Sequence, residues 1–352
     1  MTTTVAMAFA VMPKSDSPQA RGRIGEPAAY TYYRCMVVAY GSLRRFNPGA
    51  DLVLVTTDPV PAPFAGELAA IGVEVLVEPF AHRPPEGYGH GWLSSLFHLD
   101  AVAALAGRGG TLVMIDPDMF CLRPLDALLA ACGDAVGVQT ESAQDMFHRG
   151  EEAAALAQYA RCCDEMHRDL GEPDAAHPKY SGSFYVLPGA RLPLLLERIE
   201  RAWELALERH ARGAEVFHTD EHFMNYAVRA VEVRELSAHV RVVPTAPWRR
   251  YLTDRDVILG LTLWNLMYEK ELGFQRLYPA AADRGSWFWT ASDEVFRERA
   301  GKVFSATGRS GTRRLAHVAG GVVERLTTER MQKRLKPVYT RMVQVRASMR
   351  TV

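Results

Sequence analysis

The sequence predicts an α/β protein in which helices flank a mainly parallel β-sheet and a helical C-terminal extension follows. Short, unbroken apolar runs, typical of strands buried on both faces, alternate with helical segments along the first half of the chain. This alternation is typical of strand–helix–strand units with right-handed crossovers. A length of 352 residues with 48% apolar residues can form a sizeable core. No run reaches the roughly 18 apolar residues of a membrane span.

The elements can be assigned in order from these patterns. The first strand is Val5–Met12, which lacks the preceding basic residues and the cleavage site of a signal peptide. The loop up to Pro27 follows the end of this strand, where α/β proteins commonly contact a nucleotide. Further predicted strands are Asp51–Asp58, Val73–Val77, Leu112–Ile115, Ala135–Gln139 and Tyr180–Leu187. Predicted helices are Tyr30–Phe46, Glu67–Ile71, Trp92–Ala106, Leu125–Cys132, Glu151–Leu170 and Leu194–Arg212, with another opening within His218–Asn225.

Two carboxylates follow the apolar run that ends at Ile115. Asp116 and Asp118 flank Pro117, which fixes its own φ and favours extended geometry at Asp116, so both acids can face one small volume. Ligands of open α/β sheets bind at the carboxyl ends of the strands. Hard oxygen ligands suit Mg²⁺ or Mn²⁺. The alternative is that Asp118 caps a turn and Asp116 pairs with an arginine.

Two later segments also carry polar residues at the ends of elements. Ser181-Gly182-Ser183 opens an aromatic strand, and small residues there let a ligand approach the backbone. Asp220 and Glu221 lie at the start of a helix, where acids are also common for purely structural reasons. No G-x-G-x-x-G follows any predicted strand of the first half, which disfavours a dinucleotide site.

The order of these motifs resembles the metal-dependent glycosyltransferases of the GT-A fold. The segment from Tyr33 to Pro48 and the one from Ile115 to Leu125 are similar to family 8 patterns. The segments Tyr180–Tyr185 and His218–Asn225 are similar to the Y-x-G-x-F-F and H-D-E-S-H-L-N segments of family 6. The resemblance covers roughly residues 5–250 and implies transfer of a sugar, with retention, from a nucleotide-diphosphate sugar such as a UDP-sugar to an acceptor hydroxyl.

The resemblance also implies roles for individual residues. Asp118 would bind Mn²⁺ or Mg²⁺ directly, and Asp116 would contact the ion, the ribose or both. Glu221 would face the anomeric carbon as nucleophile or ion-pair stabiliser, and Asp220 would bind hydroxyls of the donor sugar. The expected substrate-binding residues are Ser181, Gly182, Ser183, Lys179, His218, Trp248 and Arg249.

Two departures from the family pattern concern positive charge. Family 8 members usually carry a basic residue in the helix before the metal strand, and Trp92–His98 offers none. Of the motif H-x-x-G-x-x-K-P-W only the end is preserved, at Pro247–Arg250. Neutralisation of the donor phosphates would then fall to Lys179, Arg249 or Arg250.

Two other functions stay open. Phosphatases of the haloacid-dehalogenase type also use D-x-D after an apolar strand. In that family, however, the motif lies near the N-terminus and continues as D-x-D-x-T/V, whereas here Phe120 occupies the place of the Thr or Val. A non-catalytic sugar-binding relative is the second alternative. A nucleotidyltransferase is disfavoured because Met12–Asp16 supplies no glycine-rich loop.

The charge distribution sets the C-terminal tail apart. The net charge is zero, yet residues 302–352 carry 12 Lys+Arg against Glu324 and Glu329. We therefore expect a catalytic domain over 1–250, an acceptor-side region over 251–301 continuous with it, and a basic helical tail over 302–352. Residues 318–350 are basic and amphipathic, and they either bind an anionic membrane surface or pack on the acidic body.

Composition also bounds partners and location. Five cysteines, without metal-ligand spacing, favour a cytoplasmic protein, peripheral on the inner face of the membrane if the tail binds lipid. The tail has few aromatic residues, so nucleic acid is not expected as a partner. The expected partners are a nucleotide-sugar donor and a carbohydrate, lipid-linked or small-molecule acceptor.

Overall fold

The computed structural model describes residues 2–12, 26–89, 92–140, 149–172, 179–243, 245 and 255–307. The predicted substrate-binding residues Trp248 and Arg249 lie outside these described residues, as does the basic tail from residue 308 onward. The loop over 13–25 also lies outside them. The expectations for these segments stay predictions.

The described strands confirm the predicted α/β class. They are β1 (Thr3–Phe9), β2 (Asp51–Thr56), β3 (Val73–Val77), β4 (Thr111–Ile115), β5 (Met119–Cys121), β6 (Val136–Thr140), β7 (Tyr180–Pro188), β8 (Val233–Glu235), β9 (Val240–Val242) and β10 (Leu263–Asn265). Among the described residues, seven strands form one sheet in the order β3-β2-β1-β4-β7-β6-β8. Its pairs are parallel except the two made by β7, so the sheet is mainly parallel, as predicted.

Helices connect and cover these strands. They are α1 (Ala29–Phe46), α2 (Phe64–Ile71), α3 (Phe97–Leu105), α4 (Asp126–Cys132), α5 (Arg149–Asp169), α6 (Leu192–Ala211), α7 (Asp220–Val228), α8 (Arg255–Gly260), α9 (Gly273–Ala282), α10 (Trp287–Thr290) and α11 (Asp293–Val303). The helix predicted over Trp92–Ala106 begins as a 3₁₀ turn at Leu93–Leu96 and becomes α-helical at Phe97. Of the described helices, none is both long and apolar enough to span a membrane.

The sheet is buried on both faces, as its unbroken apolar runs predicted. Along β1, Val5 and Met7 pack into the core on one face, whereas Ala6 and Ala8 pack into the core on the other. Successive side chains of a strand point to opposite faces, so an apolar run without alternation needs cover on both sides. α1 contributes to the first core, and α3, α5, α6 and α7 contribute to the second.

The end of β4 lies at the centre of this arrangement. β4 pairs in parallel with β1 and antiparallel with β7, so the carboxyl end of β4 meets the amino end of β7. The backbone N–H of Asp116 donates to the carbonyl of Ser183 at 3.0 Å. The register therefore brings the first predicted metal ligand beside the predicted sugar-pocket residues.

The structure contains a second sheet that the sequence did not predict. β5, β9 and β10 form its three strands, and α9, α10 and α11 follow β10. Strands of three residues are too short to show alternation in a sequence. Trp264 of β10 is fully buried, and its indole donates to the carbonyl of Ile258 at 2.8 Å. This small sheet carries the segment after β10 to the end of β4.

Candidate active site

The two acids after β4 lie in different surroundings. The side chain of Asp116 is 31% exposed, whereas Asp118 is 1% exposed. Burial, followed by the nearby charge of Asp118, raises the pKa of Asp116 above its usual value. The carboxylate of Asp118 therefore lies close enough to disfavour the charge of Asp116.

Lys270 is the cation that neutralises Asp118. Its Nζ lies 2.6 Å from Oδ2 of Asp118, and the two side chains are 9% and 2% exposed. Burial alone would lower the pKa of Lys270, but the charges of Asp118, Tyr32 and Asp116, with the hydrogen bond to Asp118, together outweigh it and raise the pKa. Sequence reasoning missed this residue, because a lysine five residues after β10 forms no motif with Asp118.

His98 joins the two groups of predicted acids. Its Nδ1 lies 2.7 Å from Oδ2 of Asp220, and its Nε2 lies 3.6 Å from Oδ1 of Asp116. Burial lowers the pKa of His98, but the two carboxylates outweigh it and raise the pKa to about 9. The statement that Trp92–His98 offers no basic group is therefore wrong, since His98 supplies a positive charge from the helix before β4. The error arose because a histidine is basic only when its surroundings raise its pKa.

The small residues at the start of β7 face the acids of α7. The N–H of Gly182 points to Oε2 of Glu221 at 3.4 Å. A Cβ on Gly182 would lie 3.3 Å from Oδ2 of Asp220 and 3.3 Å from Cβ of Glu221. The hydroxyls of Ser181 and Ser183 are 2.7 Å apart. A glycine thus permits the close approach of strand and helix.

Glu221 is paired, and its helix is fastened to β7. Nζ of Lys179 lies 3.1 Å from Oε1 of Glu221. The amide of Asn225 donates to the carbonyl of Tyr180 at 3.0 Å and to that of Glu221 at 2.7 Å, and its oxygen accepts from the N–H of Tyr180 at 2.9 Å. Asn225 therefore joins the first turns of α7 to the start of β7 through hydrogen bonds. Thr219 is the N-cap residue, but its hydroxyl contacts Nδ1 of His222 at 2.9 Å.

The oxygen atoms around Asp118 fit a hard divalent ion. Oδ1 of Asp118 and Oδ1 of Asn265 are both buried and have no hydrogen-bond partner. The Asn265 amide donates to the hydroxyl of Ser183 at 2.7 Å, which places Asn265 at the same sheet edge. Buried oxygens without a donor are costly unless a cation or water satisfies them. Carboxylate and amide oxygens are ligands that Mg²⁺ and Mn²⁺ accept.

The remaining predicted residue, His218, contacts a residue outside this group. Its Nε2 is 3.1 Å from Oε1 of Glu215, three residues earlier in the segment before α7. The structure thus brings together Asp116, Asp118, Ser181, Gly182, Ser183, Asp220, Glu221 and Lys179, and adds His98, Asn265 and Lys270 to them.

Comparisons with known proteins give matches among solved structures. A crystal structure of mouse xyloside xylosyltransferase 1 in its apo form is similar with 12% identity and a TM-score of 0.43, over 75% of this chain and 97% of that one. The galactosyltransferase LgtC in complex with donor and acceptor sugar analogues is similar with 14% identity and a TM-score of 0.45, over 88% and 99%. The apo structure of the bifunctional glycosyltransferase WbbM is similar with 11% identity and a TM-score of 0.43, over 75% and 45%. No family model and no curated protein sequence matches the chain.

Proposed function

We propose that this chain is a glycosyltransferase of the GT-A type that moves a sugar from a nucleotide-diphosphate sugar, a UDP-sugar, to an acceptor hydroxyl. The observation that carries the proposal is the bridge made by His98 between Asp116 and Asp220. Far apart in the sequence, these two acids occupy one site at the carboxyl end of β4. A donor needs both ends of such a site, a cation for its diphosphate and acids for its sugar.

The diphosphate end is built from oxygen ligands and a fixed ammonium group. Asp116, Asp118 and the amide oxygen of Asn265 would hold Mn²⁺ or Mg²⁺. When bound, the ion neutralises charge that develops on the leaving diphosphate. Lys270 holds Oδ2 of Asp118, so the carboxylate keeps one orientation with Oδ1 directed elsewhere. The ammonium group of Lys270 would supply a second positive charge that stabilises the phosphates.

The sugar end is built from the start of α7 and the start of β7. The contact with Lys179 would hold the carboxylate of Glu221 in place as a nucleophile or an ion-pair stabiliser. His98 fixes the orientation of Asp220, which would bind sugar hydroxyls. Ser181, Gly182 and Ser183 would shape the donor-sugar pocket. A carboxylate facing the anomeric carbon supports transfer with retention.

The test is an assay of the purified protein with a panel of nucleotide sugars, with and without Mn²⁺. We expect slow hydrolysis of one donor even without acceptor, and its loss with EDTA. Asp118→Asn should lower activity by at least about 10²-fold, because a divalent ion contributes several kcal/mol to the transition state. Asp293→Asn is the matched control, since the side chain of Asp293 is 58% exposed and pairs with Arg45. Full activity of Asp118→Asn would contradict the assignment of the ion.

Glu221→Gln tests the sugar end in the same assay. It should lower kcat by roughly 10²-fold or more while donor affinity changes little, because the amide keeps the shape of the side chain but loses its charge. An NMR time course should show the retained anomer as the first product. The inverted anomer as first product would contradict the role given to Glu221.

The two alternatives predict other outcomes in this assay. A haloacid-dehalogenase-type phosphatase would release phosphate from phosphate monoesters, and its D-x-D would follow the first strand, whereas this motif follows β4. A non-catalytic relative would be stabilised by a nucleotide sugar, by about 2.7 kcal/mol at 100 times the dissociation constant, without hydrolysing it. The acceptor, a carbohydrate, lipid-linked or small-molecule hydroxyl, is then found by screening.

The proposed location is the cytoplasm, where the basic segment over 318–350 would either rest on the inner face of the membrane or pack on the acidic body. The five cysteines are unpaired and buried, which suits a reducing compartment. Co-sedimentation should show binding to anionic but not neutral vesicles, weakened by salt. Equal pelleting after truncation near residue 318 would contradict attachment through the tail.

A further inference from the structure

Three side chains with metal-binding atoms lie close together where α5 meets the segment before α7. Cys162 lies on α5, and Glu215 and His218 lie in the segment between α6 and α7. One ligand atom from each lies within 4.8 Å of the other two. Cys162 is 1% exposed, whereas the side chains of Glu215 and His218 are 39% and 22% exposed. The group is therefore anchored in the core and open to solvent on one side.

The segment that carries two of these residues is held in place by side chains from two helices and from the loop after β3. The guanidinium of Arg209 donates to the carbonyl of Glu215 at 2.7 Å. The thiol of Cys162 donates to the carbonyl of Val216 at 2.9 Å, and the hydroxyl of Tyr88 donates to the carbonyl of Phe217 at 2.8 Å. The donors from Arg209 and Tyr88 would remain after an ion replaced the thiol proton, so the carbonyls of Glu215 and Phe217 stay fixed and the segment would rearrange little when the ion binds.

We propose that Cys162, Glu215 and His218 bind a zinc ion, with water in the fourth position. Thiolate, imidazole and carboxylate are the ligand types of Zn²⁺. Ligand atoms around tetrahedral zinc lie about 3.3–3.8 Å apart, given the usual bond lengths, so small side-chain rotations close the site. A thiolate and a carboxylate balance the charge of the ion. The thiol proton passes to solvent as the zinc–sulfur bond forms.

The access route to Cys162 runs past its two partners. The side chains of Glu215 and His218 are partly exposed, whereas Cys162 is buried. An ion would therefore enter from the solvent side, past Glu215 and His218, and displace the thiol proton.

This zinc site differs from the proposed donor-cation site in chemistry and in place. Asp116, Asp118 and Asn265 offer oxygen atoms alone, which favour Mg²⁺ or Mn²⁺. The zinc site instead ties α5 to the segment that leads directly into Asp220. A bound zinc ion would therefore stabilise the start of α7, the helix that carries Asp220 and Glu221.

Cobalt titration of the full chain, without an added histidine tag, tests this proposal. Co²⁺ bound to a thiolate gives a near-ultraviolet charge-transfer band, and tetrahedral Co²⁺ gives strong visible bands. We expect both at one equivalent of Co²⁺, with Zn²⁺ displacing them. Cys162→Ser should abolish the charge-transfer band, whereas Cys163→Ser, which changes the adjacent buried cysteine outside the group, should keep it.

Two further variants separate the zinc site from a folding defect and from the proposed sugar transfer. Glu215→Gln changes a partly exposed side chain and should weaken Zn²⁺ binding by at least about 100-fold, measured against a chromophoric chelator. Asp118→Asn should leave the cobalt band unchanged, whatever its effect on sugar transfer. A wild-type protein without the band, or a band that persists in Cys162→Ser, would overturn the zinc site.

Discussion

Replacing Lys270 by methionine is predicted to be among the most destabilising single changes in this fold. The ammonium lies 2.6 Å from Asp118, and the two side chains are 9% and 2% exposed. Methionine preserves much of the volume and all of the apolar stem. The change therefore removes the charge and leaves the carboxylate of Asp118 buried without its partner.

The expected loss is about 3–5 kcal/mol, the usual cost of breaking a buried ion pair from one side. At roughly 2–4 °C per kcal/mol, the melting temperature should fall on the order of 10 °C. The double variant Asp118→Asn with Lys270→Met removes both charges and should recover much of the loss. The coupling energy between the two sites should be about 2 kcal/mol or more.

Urea unfolding and thermal melts of the four proteins in this cycle supply the measurement. Lys302→Met is the matched control, because Lys302 is 73% exposed and lies 3.7 Å from Glu298, a geometry that contributes less than about 1 kcal/mol. Mn²⁺ should stabilise Lys270→Met more than wild type, since the ion would then neutralise Asp118 alone. A loss below about 1 kcal/mol in Lys270→Met, or a double variant no more stable than it, would refute this account of the pair.

Two other changes each test one group of contacts, at Gly182 in the candidate site and at His82 outside it. Gly182→Ala places a methyl group 3.3 Å from the acids at the start of α7 and should raise KM for the donor. The control is Gly49→Ala, whose methyl group would meet nothing within 4 Å and should leave KM unchanged. Equal KM values for the two variants would contradict the close approach of β7 and α7. Burial lowers the pKa of His82, but Asp100, 2.5 Å away, and Glu200, 3.1 Å away, outweigh it and raise the pKa above 6.5. Protonated His82 should therefore stabilise the fold below about pH 6.5, and this contribution should be lost as pH rises through its folded pKa. Urea unfolding at several pH values measures how the free energy of unfolding depends on pH, and we expect this dependence to be absent in His82→Gln.

Much of the fold was predictable because its signals are local. The bounds of β3 match the prediction residue for residue, and α1 ends at Phe46 as predicted. Asn47 follows it, and its side-chain amide donates to the carbonyl of Leu43 at 3.1 Å. Strand runs and helix stops are set by a few neighbouring residues, so they can be recognised without tertiary information. The three-residue strands β5, β8, β9 and β10 were missed because nothing local marks them.

The candidate site was predictable in part for the same reason. Asp116 and Asp118 stand directly after an apolar strand, and Asp220 and Glu221 stand at a helix start, so each pair is marked by its local context. The contribution of His98 was not predictable. It lies on α3 and meets Asp220 across 122 positions of sequence. No periodicity or motif connects two residues so far apart.

The sequence by itself determined the α/β class, the order of the strands in the chain and the placement of acids at their ends. Only the tertiary structure decided which charges neutralise which. Lys270 reaches Asp118 because β10 pairs with β5, directly after the motif, and His98 reaches Asp116 and Asp220 because α3 packs beside β1 and α7. Hydrophobic periodicity is a local property of the chain, whereas Coulomb interactions in a buried site depend on distances in space that folding alone sets.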